Sequence, residues 1–261
     1  MITTRQKWIP LVQVCCARHQ TTNTQWDFVC ITLVTKSRMY SNKPVRCFQH
    51  CDNRNILCFD VPSKCPLCGA SLPSPMRVPP FRITSPFSHS TDAANAFVIC
   101  PAEGSYSDCE LSLDDLHVGI TDSKGIVYHY NDNGINIDDH GWTEVISVRF
   151  PSADVQPQHW DSILLELAKQ SKWTAEQYNE ATNNCFTFAL NFLARAGVIK
   201  TQPQLMTATE FCHQYVMQVL DKASNYIKLV KTISKEGCLI QDATWTIVHS
   251  WLTERHRRNK R

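Results

Sequence analysis

Cys185 is the residue whose neighbours best equip it as a nucleophile. It follows Tyr178-Asn-Glu-Ala-Thr-Asn183-Asn184 and precedes Phe186, where an apolar helical stripe begins. Asn183 and Asn184 are strong helix-capping types, so Cys185 is expected in the first turn of a buried helix. The helix dipole and the unpaired backbone N–H groups there favour a thiolate. The same N–H groups suit the oxyanion formed when a thiolate attacks a carbonyl. Such a thiol needs a base, and the best candidate is His117 in Leu116-His117-Val118-Gly119-Ile120. In an alternating strand Val118 and Ile120 take one face, leaving His117 with Gly119 and Thr121 on the other. His129 lies twelve residues on, in Ile126-Val-Tyr-His129-Tyr130. A turn near Ser123-Lys124 brings it beside or diagonal to His117, in position to orient the base.

A second group of residues has metal-ligand spacing. Cys65-Pro-Leu-Cys68-Gly69 is a tight knuckle that aims two sulfurs at one point. Upstream, Cys47-Phe-Gln-His50-Cys51 offers a second pair, and the spacing leaves both Cys47/His50 and His50/Cys51 open. Two pairs flanking a short β-run from Asn55 to Val61 fit a tetrahedral Zn²⁺ site with sulfur and nitrogen ligands. A full ligand set leaves no open coordination position, so a zinc ion here is structural. The competing reading is a cluster of reduced, partly buried thiols, and Cys58 is expected in the core.

The elements that must position these residues follow from the pattern. Residues 1–43 show no sustained period and read as a loosely ordered extension with at most one short strand around Phe28–Val34. Residues 44–72 form the knuckle element. Residues 73–94 read as a proline-rich linker, with five prolines between Pro73 and Pro86. Four short β-runs follow, Asn95–Cys100, Leu116–Thr121, Gly125–Asn131 and Thr143–Phe150, separated by turn sequences that make them antiparallel. Helical periodicity then takes over. Trp160, Ile163, Leu164 and Leu167 mark a first helix, and Phe186, Ala189, Leu190 and Leu193 a second, closed by Gly197. A third runs from about Thr209 to Lys235, with Phe211, Tyr215, Val219, Tyr226, Val230 and Ile233 as its core stripe and an exposed His213 beside a core Cys212. Residues 95–237 therefore form one α+β domain, and 238–261 a basic tail.

Composition narrows the class. The chain has 261 residues, 43% hydrophobic and 19% charged, with a formal net charge of +2. That balance gives no general case for nucleic acid, and the basic end reads as a solvated terminus. No apolar run reaches the roughly 18 residues of a membrane helix. Thirteen cysteines, an odd number, exclude a fully disulfide-paired monomer. The stretch Trp8–Ala17 is broken by Pro10 and Gln13, so an intracellular protein, cytoplasmic or nuclear, is expected rather than a secreted one. Cys15, Cys16, Cys30, Cys100, Cys109 and Cys238 have no partner spacing.

The order of His117 on a strand, His129 on the next, and Tyr178-x6-Cys185 opening a helix resembles the circularly permuted papain-like (NlpC/P60-like) fold. The lecithin:retinol acyltransferase-like and PPPDE isopeptidase-like families share that order over roughly 115–195. The Tyr178 to Cys185 element is similar to the acyltransferase group's, and His129 falls where that group has its second histidine. The chain departs from that group in Phe186-Thr187-Phe188, where an acidic residue and a histidine would precede the Phe, and in Val118, where an aromatic would follow the histidine. Over about 47–237 the chain resembles the makorin-2 opposite-strand protein family. His50-Cys51, Cys65-Pro-Leu-Cys68, Asp115-Leu-His-Val-Gly-Ile-Thr121, Asn184-Cys185 and the Phe211–Gly237 helix carry that likeness. Relatives in that family have a different polar residue at position 129.

The expectation is an α+β protein with an N-terminal zinc-knuckle element and a permuted papain-like domain. In the enzymatic reading, Cys185 attacks an ester, thioester or isopeptide carbonyl, His117 takes and returns the proton, and His129 orients the ring. The alternative is a non-catalytic module whose knuckle and helices bind a protein partner.

Overall fold

A computed structural model describes residues 43–72, 75–102, 106, 116–138, 140–150, 156–199 and 206–242. Residues 1–42 and 243–261, and with them the expected extension, most of the basic tail, Cys15, Cys16 and Cys30, lie outside the described residues, as does Cys109. The described chain runs β1 (Arg46–Gln49), β2 (Asn55–Cys58), β3 (Val78–Arg82), β4 (Phe87–Ser88), β5 (Phe97–Pro101), β6 (Leu116–Thr121), β7 (Val127–Asn131), β8 (Gly134–Asp138) and β9 (Val145–Val148). It continues through α1 (Pro157–Ala168), α2 (Cys185–Arg195), α3 (Ala208–Phe211), a π-helical turn Cys212–Val216, α4 (Met217–Glu236) and β10 (Cys238–Gln241). Among the described residues no helix is long and apolar enough to cross a membrane.

The α+β chain divides into two units, each built on an antiparallel sheet. The first unit is discontinuous: its described part combines residues 43–86 with 221–242. Its sheet has the order β10-β2-β1-β3, all neighbours antiparallel. Phe48 pairs with Ile56, which pairs with Ile240, and this face carries the cluster of Phe48, Ile56, Cys58 and Cys65, flanked by Val61, Leu67, Leu72, Met76 and Cys238. Cys58 is in the core as expected. The proline-rich segment contains a strand, β3, which takes Pro79 and Pro80 into the sheet. It does so at the sheet edge, where a residue without an N–H leaves no ladder bond unmade. Likewise Cys238–Gln241 is a strand along β2 rather than the start of a tail.

The second unit spans Phe87–Leu220 in its described part, with the sheet order β4-β9-β5-β6-β7-β8. Its β6–β7 turn is held by Asp122, whose side chain accepts from the backbone of Lys124 and Ile126 at 2.8 and 2.9 Å. The β7–β8 hairpin closes through Asn131-Asp132-Asn133-Gly134, with Gly134 at φ +92° and the Asn131 side chain accepting from Asn133 N. β8 is a strand that the sequence pattern did not single out.

Register divides this sheet into two faces. Phe97 pairs with Ile120, Ile99 with Val118, and Ile120 with Tyr128, so these share one face with Tyr130. The helices cover that face: Phe97 meets Phe186 of α2 and Phe211 of α3, and Tyr130 meets Trp173, which stacks edge-on with Phe188 of α2. The other face carries Val98, Val127 and Val145 in a smaller cluster with Ala93, Ala96 and Trp142. α2 itself starts with a full capping box, Asn184 accepting from Thr187 N while Thr187 returns a bond to the Asn184 backbone.

The third helix differs from its predicted stripe. Phe211 is buried, but Val216, Leu220, Ala223 and Leu229 are buried where Tyr215, Val219 and Val230 were expected. The π-helical turn adds one residue to a single turn, which moves the buried positions just after it from Tyr215 and Val219 to Val216 and Leu220, while Tyr226 and Ile233 are buried as expected. Cys212 is buried and His213 exposed.

Candidate functional site

The first site is built by two short turns of the discontinuous unit. His50 and Cys51 sit just past the end of β1, in a loop that Asp52 shapes by accepting from Arg54 N, 2.8 Å, and from the Arg54 guanidinium, 2.8 Å. Cys65 and Cys68 sit on a turn closed by Gly69 N→Cys65 O at 2.9 Å and Cys65 N→Ala70 O at 2.8 Å, with Gly69 at φ +74°. One donor atom from each of His50, Cys51, Cys65 and Cys68 lies within 4.8 Å of all the others. Cys51 Sγ is 4.0 Å from Cys65 Sγ, and Cys68 Sγ is 3.4 Å from His50 Nδ1. Around a tetrahedral zinc with bonds of about 2.3 Å to sulfur and about 2.0 Å to nitrogen, the corresponding edges are about 3.8 and about 3.5 Å. These four residues can hold a metal ion.

The thiols of the knuckle shift one another's protonation. Burial acts to raise the Cys65 thiol, but backbone N–H groups of Cys68 and Leu67 and the neighbouring thiols outweigh it and bring it down. The Leu67 N–H is 3.4 Å from Cys65 Sγ. Cys51 is pushed up to about 11, first by burial and then by sharing its proton with Cys68 and Cys65. Cys47 is not part of the group. It precedes Phe48 in β1 and so projects from the opposite sheet face, paired with Leu57, where burial pushes its thiol up to about 12. Between the two upstream pairs left open by spacing, the structure brings His50 and Cys51 to the knuckle.

The second site lies in the other unit. His117 Nε2 is 2.8 Å from His129 Nδ1, and His129 Nε2 is 2.8 Å from Asp138 Oδ2. Three strands position this row. Gly119 pairs with His129, which puts His117 diagonally across β6–β7, and Val127 pairs with Asp138, which sets the carboxylate diagonal to His129. Gly119 is required by this geometry, because a Cβ there would meet Val127 Cγ1 at 2.6 Å and His129 Cβ at 3.3 Å. Trp142 closes the row, its ring 5.8 Å from His117 and 5.2 Å from His129. Burial pushes His117 down to about 3, and the neighbouring His129 adds to that while Asp138 opposes it. His129 is also lowered by burial, against the pull of Asp138.

Asp138 escaped the sequence reading, although a signal existed. The Asn133-Gly134 turn after β7 implies a returning strand, and alternation along it places residue 138 on the His129 face.

Cys185 occupies the first position of α2 and is buried with Phe188, Ala189 and Phe192. That stripe faces the sheet surface carrying Phe97, Val118 and Tyr130, whereas His117 and His129 project from the surface bearing Gly119 and Trp142. The structure thus brings His117 to His129 but leaves the Cys185 helix on the other side of the sheet.

Comparison with known proteins returns one family in two pieces. A family model described as DUF4796 C-terminal matches residues 80–233, and DUF4796 N-terminal matches residues 43–72. The chain is 31% identical over 198 residues to the MKRN2 opposite strand protein of Homo sapiens, covering 75% of this chain and 88% of that protein. No solved structure matches.

Proposed function

The chain belongs to the DUF4796 family, that of the MKRN2 opposite strand protein, and from that premise we propose that it is a non-catalytic, zinc-containing protein-interaction module. The reading is carried by the closed four-residue set of His50, Cys51, Cys65 and Cys68. Three sulfurs and one imidazole are a preferred structural zinc set, and four protein ligands leave no position for a substrate or an activated water. The zinc ties the β1–β2 loop to the knuckle beside the Phe48, Ile56, Cys58 and Cys65 cluster. In an intracellular, reducing setting these thiols stay available to the metal.

The same proposal extends to the second unit. It keeps the strand-histidine-then-helix-cysteine order of a permuted papain-like fold but does not use Cys185 and His117 as a catalytic pair. The support for that is the placement of His117 and the Cys185 helix on opposite sheet faces.

Metal analysis combined with iodoacetamide mapping tests the reading. The purified chain is expected to hold one zinc, with Cys51, Cys65 and Cys68 protected until a chelator is added and Cys185 unreactive throughout. A chain without zinc, or one in which Cys185 labels fastest and His117→Ala slows that labelling, overturns it in favour of a thiol enzyme.

A further inference from the structure

The row His117–His129–Asp138 has a direction, and the direction follows from Asp138. An ionised carboxylate only accepts hydrogen bonds, so His129 must donate to it from Nε2 at 2.8 Å. With Nε2 donating to Asp138, a neutral His129, the form that burial favours, carries no proton on Nδ1. His117 must donate from Nε2 to that nitrogen, at 2.8 Å, which empties the Nδ1 of His117. The His117 ring is partly exposed, and its Nδ1 makes no hydrogen bond to a described residue. Trp142 backs both rings, and Cys100 is the cross-strand neighbour of His117 on this face.

We infer that Asp138 acts through His129 as a positioning residue, fixing His117 as the Nε2–H tautomer and making its bare Nδ1 a proton-accepting binding site for a hydroxyl or thiol donor. The site concerns the second unit and stands independently of the zinc reading. A donor bound there hydrogen-bonds to Nδ1. Full transfer would move the donor's proton to Nδ1, the His117 Nε2 proton to His129 Nδ1, and the His129 Nε2 proton to Asp138. The donor is left as its anion and Asp138 as a neutral acid, so charge balances with no other reactant.

Long-range proton–nitrogen correlation spectra of the histidine rings, on the zinc-loaded full chain near neutral pH, read the tautomer directly. In the wild type, His117 is expected to show a protonated Nε2 and an unprotonated Nδ1. Asp138→Asn, whose amide can also donate, is expected to move His117 toward the Nδ1–H form, and Asp138→Glu to restore the wild-type pattern. Phenol, a simple hydroxyl donor, is expected to shift the His117 Nδ1 signal in the wild type and to do so several-fold less in Asp138→Asn. A wild-type His117 protonated on Nδ1, a tautomer unmoved by Asp138→Asn, or the absence of any phenol shift overturns the proposal. If Asp138→Asn fails to fold, the wild-type tautomer and the phenol titration decide alone.

Discussion

Protonating His117 in the folded protein charges an imidazole that burial has pushed from 6.5 down to about 3. The unfolded chain takes up that proton at the ordinary value, so between those two values it binds more protons than the native state. Stability therefore rises with pH across that window and is lost as pH falls below about 6.5. His129, also lowered, contributes with the same sign, and Cys100 and Asp138 are further titratable groups on this face. Urea unfolding from pH 7.5 to 4.5 is expected to show a decline that is shallower in His117→Asn. A slope unchanged by that substitution would contradict the placement. At this scale the candidate metal ligands of the knuckle were legible because Cys65 and Cys68 are local to one turn. The choice between Cys47 and Cys51 was not, since it depends on which face of β1 each residue takes. His117 and His129 were legible as a pair on one face, but nothing in their own strands says which face the helix covers. Val98, Val127 and Val145 make the second face apolar as well, so burial pattern alone does not distinguish them.

The elements carry their own signals at different strengths. α2 announces itself in sequence through Asn184 and the stripe after it, and its capping box is present in full. Asn184→Ala is expected to lower the unfolding free energy by about 1 kcal/mol, with Asn184→Asp retaining most of it, as measured by chemical denaturation. A loss near zero would mean that packing of Phe188 and Phe192, not the cap, sets where this helix begins. β3 was hidden because prolines argue against a strand interior and say less about an edge. The π-helical turn was hidden for a different reason. A stripe predicted at a period of 3.6 carries straight on, and the added residue at Cys212–Val216 is visible only once Phe211 and Val216 are both seen buried.

On the scale of the whole molecule, the two units predict separable responses to metal. Chelation is expected to speed amide exchange in β1, β2 and β10, whose sheet flanks the knuckle, while β6 and β7 keep their protection. Hydrogen-exchange mass spectrometry distinguishes this from a uniform loss across both sheets, which would mean that the chain unfolds as one. The sequence conveyed the α+β content and the strands-then-helices order of 95–237, because those are periodic features of contiguous segments. It did not convey that residues after Leu220 return to the N-terminal sheet, since pairing over such a separation leaves no local trace. The pairing of Asn55 with Gln241 has a consequence for the order in which the protein is made. On the ribosome, β2 and the knuckle emerge early, yet the strand that closes their sheet is synthesised only after Phe87–Leu220 has been translated. The second unit can finish folding first, as an insertion, while β2 waits with one edge open. In that interval a metal ion held by the four candidate ligands, which are local to one another, would hold the waiting half together.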